Sequence, residues 1–320
     1  GGLNFRMLKW WGLESIAVGV KIVHVWGLNP SNENRMYDNQ SWWNRFRSNY
    51  TYFNAFDMSE ENLCKWALFW QIYKPDLVIG YTSALYEFAT FLLRENKYNI
   101  IPKAVWSTSE PLFDFQKNVL EESFQAPVFS QYGINEVHHV AADCNCQEGL
   151  HINIDARIIE IADDKGNQVP AGESGNILVS DLENYAMPII RYDTEDISAL
   201  KQQRCHCGIV LPLMDYVKGR IYDVFILSNG KKIYGHRFTT FFYQYIDKIK
   251  KFQVHQTHID RTVVKIVPQK DADIDSIIPL IERSFNNFTD QLIKFEIKTV
   301  STIKNEQSGK FRFIKSDVKI

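Results

Sequence analysis

At 320 residues, 45% hydrophobic and 14% aromatic, the chain is long enough for two domains and apolar enough for a sizeable packed core. Its 36 Lys and Arg against 38 Asp and Glu leave a net charge of -2, which excludes an overall field that would draw it to nucleic acid or anionic lipid. Five cysteines, four of them in two Cys-x-Cys pairs, suit metal ligation in a reducing compartment better than a disulfide framework. The longest apolar stretches, such as WALFWQIY, stop far short of the roughly 20 residues of a membrane span, and the start shows no signal-peptide pattern. A cytoplasmic protein with no membrane span and no nucleic-acid partner is expected.

Taken in chain order, DMSEENLCKWALFWQIY opens with the capping residues Asp57, Ser59 and Glu60 and then places Leu63, Trp66, Ala67, Trp70 and Tyr73 on one helical face. The buried run DLVIGY, a helix from Ser83 to Glu95, the run KAVWST, a helix from about Phe113 to Phe124 and the run PVFSQYG follow. This β-α-β-α-β order predicts an α/β fold with a parallel sheet under helices. Ligands collect beyond the carboxyl ends of such strands, where STSEP (Ser107 to Pro111) and YGINE (Tyr132 to Glu136) fall. After residue 150 the texture becomes antiparallel: LHINIDARIIEIAD, the turn DKGNQ, GNILVSDL and AMPIIRYDT. From about residue 223 a smaller α+β unit is expected, with YDVFILSNGKKIYG, a helix near Thr239 to Ile249, QVHQTHIDRTVVKIV, the helix DIDSIIPLIERSFNNF, the strand IKFEIKTV and the tail IKNEQSGKFRF. The expected domains are 1–222 and 223–320.

Two short clusters, Cys144, Cys146 and His151, then Cys205 and Cys207 about sixty residues later, are how tetrahedral zinc is usually held. The preferred ligand set is Cys144, His151, Cys205 and Cys207, with Cys146 as substitute for Cys144. The bland alternative is reduced thiols on hairpins. Four protein ligands would make the site closed and structural. His138, His139 and His206 read as surface histidines, and Cys64 as core.

The motifs YGINE, RYDTED (Arg191 to Asp196), GRIYD (Gly219 to Asp223) and SGKFRF (Ser308 to Phe313) are each ordinary when taken singly. In order, together with FRMLKWWGL, YKPDLVIGYTSALYEFA, STSEP, GLHIN and CHCG, they resemble the adenylate-forming superfamily of acyl-CoA synthetases. The branch resembled is that of the phenylacetate:CoA ligase-like proteins, including those of capsule polysaccharide biosynthesis. The resemblance implies an AMP-forming acid ligase fold with a large adenylation domain and a small mobile C-terminal domain. It implies ATP, Mg2+ and CoA as ligands, a carboxylic acid substrate, and a thiol or amine acceptor; homodimerisation is compatible with it. By the same resemblance Ser109, Glu110 and Pro111 with Gln131, Tyr132 and Gly133 would frame adenine, and Glu136 would help hold Mg2+. Asp196 would accept from the ribose hydroxyls, Arg220 would support the ribose or phosphate side, and Lys310 would neutralise the α-phosphate. Tyr222 would be the hinge of domain rotation.

Three departures from the family pattern stand out. No Ser/Thr/Gly-rich phosphate loop precedes these motifs, so the large domain is expected to be incomplete at its N-terminal side. Glu195 occupies the usual glycine position of Arg-Tyr-Asp-x-Gly-Asp, and Tyr222 replaces the usual charged hinge residue. Two functions follow: an acid ligase, or a non-catalytic, zinc-stabilised nucleotide-binding or scaffold relative. The acid itself is not legible, because aromatics such as Trp42, Trp43, Tyr52 and Phe53 are more often core than acyl pocket.

Overall fold

The computed structural model describes residues 2–13, 20–27, 49–55, 57–219, 224–235, 238, 241–242, 244–245, 247–305 and 311–318. Contacts group Gly1–Thr194 with Ser198–Val217 as one unit, and Glu195–Ile197 with Lys218–Ile320 as the other.

The first unit contains α1 (Gly2–Trp10), β1 (Ile22–Trp26), β2 (Tyr50–Asn54), α2 (Glu60–Tyr73), β3 (Leu77–Tyr81), α3 (Thr82–Glu95), β4 (Ala104–Thr108), α4 (Asp114–Phe124) and β5 (Val128–Tyr132). β6 (Ala141–Ala142), β7 (Leu150–Ile152), β8 (Arg157–Ala162), β9 (Ser174–Asp181), β10 (Tyr192–Ala199), whose middle residues Glu195–Ile197 group with the second unit, and β11 (Leu213–Met214) follow. An eight-stranded sheet runs in the order β11-β7-β6-β5-β4-β3-β1-β2. Its β2-β1-β3-β4-β5 half is parallel, as the helix-strand alternation predicts. The sheet then continues antiparallel through β6, β7 and β11. LHIN therefore belongs to the large sheet and not to the later antiparallel subdomain, which is the three-stranded sheet β10-β9-β8. The segment AMPIIR, read as strand, precedes β10, which opens only at Tyr192.

Both faces of the parallel half are covered, and the alternation of β4 shows how. Val105 enters the core formed with α2 and α3, through Trp66, Trp70, Leu85 and Phe88. Ala104 and Trp106 point the other way, into a core closed by Met7 and Leu8 of α1 and by Trp11. In α2 the expected face is buried, with Phe69 added to it. The N-terminal cap differs from the expectation: the Ser59 side chain makes no cap bond, and the Ser59 amide donates to the Asp57 carboxylate at 3.3 Å. The helix stops at Lys74, left-handed at φ 52, whose amide donates to the Trp70 carbonyl.

The second unit holds the hairpin β12 (Val224–Ile226) and β13 (Lys232–Tyr234), then β14 (Ile249–His258), β15 (Arg261–Pro268), α5 (Ile278–Phe288), β16 (Lys294–Thr299) and β17 (Ile314–Ser316). Four strands form a sheet in the order β16-β15-β14-β17. Its core gathers Phe225, Phe238, Phe242, Phe252 and Phe285. α5 starts five residues later than DIDSII suggests; Pro279 sits in its first turn, where a fixed φ and a missing N–H cost nothing. Of the helix expected near 239–249, positions 239, 240, 243 and 246 lie outside the described residues, and Ile249 opens β14.

Candidate nucleotide site and metal cluster

β4 and β5 are neighbouring parallel strands, paired through Val105–Val128, Trp106–Phe129 and Ser107–Ser130. The loops that leave their carboxyl ends, Ser109–Pro111 and Gly133–Glu136, therefore start side by side at the edge where α/β sheets bind ligands. The Thr108 hydroxyl ties them, donating to Gln131 Oε1 at 3.1 Å. Ser109 turns the chain with a left-handed φ of 68. Glu110 is engaged within the fold: its carboxylate accepts from the Ser83 amide at 2.7 Å and the Ser83 hydroxyl at 3.0 Å, at the N-terminus of α3. The Thr82 and Ser107 hydroxyls, both buried, share a hydrogen bond of 2.6 Å beneath it. Glu110 thus sets the shape of its loop.

Gly133 allows the second loop to close on itself. A Cβ there would lie 2.8 Å from Gln131 Nε2 and 3.0 Å from the His139 amide nitrogen, where no real side chain fits without a shift. The fold back is held by the Ile134 amide on the Val137 carbonyl and the Val140 amide on the Tyr132 carbonyl, each at 3.0 Å. Tyr132 is buried; its hydroxyl donates to Thr194 Oγ1 at 3.1 Å, and that hydroxyl donates on to the Ile177 carbonyl. Glu136 is exposed and accepts from the Tyr192 hydroxyl at 3.3 Å. An exposed carboxylate fits a hard cation that keeps most of its waters.

Asp196 is buried on β10, two residues past Thr194. Between them Glu195 adopts φ 59, the left-handed region that favours glycine. Glu195–Ile197 group with the second unit through Ile197, whose amide donates to the Gly219 carbonyl and whose carbonyl accepts from Lys218. Arg220, Tyr222 and Lys310 lie outside the described residues. Tyr192 and Thr194 were not assigned a role from the sequence; only their place in RYDTED marked them.

The cysteine and histidine clusters converge. Ligand atoms of Cys144, His151, Cys205 and Cys207 all lie within 4.8 Å of one another. The Cys144 and Cys205 sulfurs are 3.6 Å apart, and Cys207 Sγ is 3.3 Å from His151 Nε2. Zinc–ligand bonds of about 2.3 Å to sulfur and 2.0 Å to nitrogen set tetrahedral edges of roughly 3.5 to 3.8 Å, and these two separations lie close to that range. Strand pairing builds it. β6 leads into Cys144, His151 sits on β7 opposite Ala142 and Leu213, and Cys205 and Cys207 occupy the turn before β11. The outer contacts would suit a metal: the Leu211 carbonyl lies 3.3 Å from His151 Nδ1, leaving Nε2 for a ligand, and the Ile209 amide donates to Cys207 Sγ. Burial raises the Cys144 and Cys205 thiols and lowers His151. Cys146 is exposed and outside the group, so it does not replace Cys144.

The remaining histidines divide. His138 and His206 are exposed as expected, with His206 against Glu148 at 2.7 Å. His139 is half-buried and pulled down to about 4, mainly by burial and then by neighbouring positive charge. Cys64 packs against the core. Phe53 is buried core and Tyr52 stacks on His24, while Trp42 and Trp43 lie outside the described residues.

A family model for the CapK C-terminal domain matches residues 225–317. Protein CapK of Staphylococcus aureus is 23% identical over 276 residues, covering 83% of this chain and 58% of CapK. Phenylacetate-coenzyme A ligase of Thermus thermophilus is 29% identical over 130 residues, 39% of this chain and 29% of that protein. The chain thus spans well under two thirds of the length of these two relatives. Among solved structures, 2-hydroxyisobutyryl-CoA ligase in the postadenylation state matches with a TM-score of 0.72 at 18% identity, covering 99% of this chain and 69% of that one. The anthranilate CoA ligase AuaEII, in complex with anthranoyl-AMP, matches with a TM-score of 0.62 at 12% identity, covering 97% and 61%. The chain is a homologue of CapK and of phenylacetate-coenzyme A ligase, and it carries the fold of the adenylate-forming CoA ligases.

Proposed function

We propose that the chain is part of an AMP-forming acid ligase. A carboxylate oxygen attacks the α-phosphorus of ATP, the bond to the bridging oxygen breaks, and pyrophosphate leaves. The acyl-adenylate then loses AMP to the sulfur of CoA or to another thiol or amine. The observation that carries this reading is the pair of loops at adjacent strand ends, tied by Thr108 and Gln131, in a chain homologous to phenylacetate-coenzyme A ligase.

In this reading Ser109–Pro111 and Gln131–Gly133 frame the adenine, largely through backbone, since the Glu110 carboxylate is already engaged by α3. Glu136 helps hold Mg2+, which when bound withdraws charge from the phosphates. Asp196 accepts from the ribose hydroxyls, Arg220 supports the ribose or phosphate side, and Lys310 meets the α-phosphate, where charge stabilisation is the main catalytic demand. Tyr222 is the hinge residue between the domains 1–222 and 223–320. Zinc held by Cys144, His151, Cys205 and Cys207 cross-links the β6–β7 and β10–β11 connections; four protein donors leave it no open position for catalysis. Thiolate ligands suit a reducing, cytoplasmic setting, and no described helix is long and apolar enough to cross a membrane.

The test is carboxylate-dependent exchange of labelled pyrophosphate into ATP by the full-length gene product. Exchange with at least one acid, abolished by Lys310→Ala, is expected; no exchange across a broad panel of acids overturns the ligase reading. One observation favours the second reading, a nucleotide binder without turnover: Glu195 places a side chain where the backbone favours glycine, beside the ribose acceptor. Binding without exchange distinguishes it.

A further inference from the structure

Four cations share the outward face of the second unit's sheet in two directly paired sets. In the parallel register of β15 and β16, Arg261 stands beside Lys294 and Lys265 beside Lys298. The alternate residues Thr262, Val264 and Ile266 are buried, which turns Arg261 and Lys265 to the opposite face. Adjacent strands lie about 4.8 Å apart and each strand rises about 3.3 Å per residue, so the two sets are roughly 13 Å apart on one flat surface. Like charges on directly adjacent strand positions cost stability. Lysine on an edge strand has a use of its own, guarding against strand addition, and β16 is an edge. β15 is interior, so that use does not account for Arg261 and Lys265.

The charge is local. Residues 218–320 carry 19 Lys and Arg against 11 Asp and Glu, whereas residues 1–217 carry 17 against 27. Two carboxylates interrupt the basic face: Glu296 pairs with Lys298 at 2.9 Å, and Asp317 with His255 at 2.7 Å.

The geometry points to a docking surface for an acidic protein, centred on Arg261, Lys265, Lys294 and Lys298. Charge complementarity selects the class of partner. A bilayer or a nucleic acid presents a uniformly anionic surface, which would meet Glu296 and Asp317 with repulsion. A folded acidic protein can set cations of its own against those two carboxylates while its acids meet Arg261, Lys265, Lys294 and Lys298. The outward positions Gln253, His255 and Val263 offer no Phe, Tyr or Trp on which bases would stack. The proposal is independent of the ligase reading.

The test titrates the whole chain, at low salt, with an acidic peptide of about 20 alternating Glu and Ser residues. Single-stranded oligo(dT) and vesicles of phosphatidylcholine with phosphatidylglycerol are titrated in parallel. Saturable peptide binding that weakens steeply with salt is expected, tighter than binding of either other probe. It should fall about tenfold or more in Lys265→Gln/Lys298→Gln and in Arg261→Gln/Lys294→Gln. Arg261→Gln/Lys294→Gln should melt at or above the wild-type temperature at low salt, because a repulsion has been removed; Lys265→Gln/Lys298→Gln also loses the Glu296 ion pair and is read by binding alone. Unchanged peptide binding in both variants, tighter capture of the oligonucleotide or vesicles, or a fall in the melting temperature of Arg261→Gln/Lys294→Gln overturns the proposal.

Discussion

The sulfur atoms of Cys144 and Cys205, 61 positions apart in the chain, lie 3.6 Å from each other, and both residues are buried. Burial first, and then the neighbouring cysteine sulfurs, disfavour the thiolates. A divalent cation would reverse that preference. Elemental analysis of protein purified without chelator should therefore find about one zinc per chain. Cys205→Ser should lose the metal and unfold at lower temperature, with a cost on the order of 4 kcal/mol, in the range reached when a structural metal is lost. Metal-free protein that melts as the native preparation does would remove the zinc from this account.

Gly133→Ala tests the close approach of the second loop. The added methyl meets Gln131 Nε2 and the His139 backbone, and backbone cannot swing aside. A loss of about 1 to 3 kcal/mol in denaturant unfolding is expected, as for other overpacked sites, together with weakened nucleotide binding. Wild-type stability and binding in this variant would show that the loop has slack.

Glu195→Gly restores the residue that its left-handed φ of 59 favours. A side chain in that region costs about 1 to 2 kcal/mol, and glycine returns part of the gain as unfolded-chain entropy. The net expectation is stabilisation by about 0.5 to 1 kcal/mol, read as a small upward shift in the denaturation midpoint. Destabilisation would mean that the Glu195 side chain makes contacts worth more than the strain.

Acid should weaken the first unit through His24 and His139. Burial pulls both down to about 4, from an ordinary value of 6.5. Between pH 6.5 and 4 the unfolded chain binds protons that the folded chain refuses, so stability is present above pH 6.5 and lost as pH falls through that window. At pH 4.5 each histidine accounts for about 2 kcal/mol. His24→Phe, which keeps a ring against Tyr52, should flatten about half of the unfolding-midpoint change between pH 7 and 4.5. An unchanged pH profile in that variant would place the acid sensitivity elsewhere.

Much of the parallel half was legible because its helices obey one period: every residue expected on the buried face of α2 is buried there. The convergence of Cys144, His151, Cys205 and Cys207 was legible because they fall in two short runs of the sequence, and three of the four are buried. β1 and β2 were not read as strands. IVHVW carries a histidine in its middle and YTYFN is half polar, so neither stands out until parallel pairing joins them through His24 and Tyr52. α1 has no cap signal in GGLNFRMLKW, and its role appears only when Met7 and Leu8 close the second face of the sheet. β7 lies between β6 and β11, and its partner β11 is some sixty residues away, a pairing that local pattern does not encode. Glu110 was expected at the adenine; its engagement by Ser83 follows from the abrupt β3–α3 junction, which leaves amides at the start of α3 in need of an acceptor.

The most direct measurement is a calorimetric titration of the chain with AMP, repeated on Asp196→Ala. Saturable heat in the native sequence, lost or weakened at least tenfold in the variant while the melting temperature holds, is the predicted result. No heat with AMP or with a non-hydrolysable acyl-adenylate analogue, or identical binding in Asp196→Ala, would contradict it.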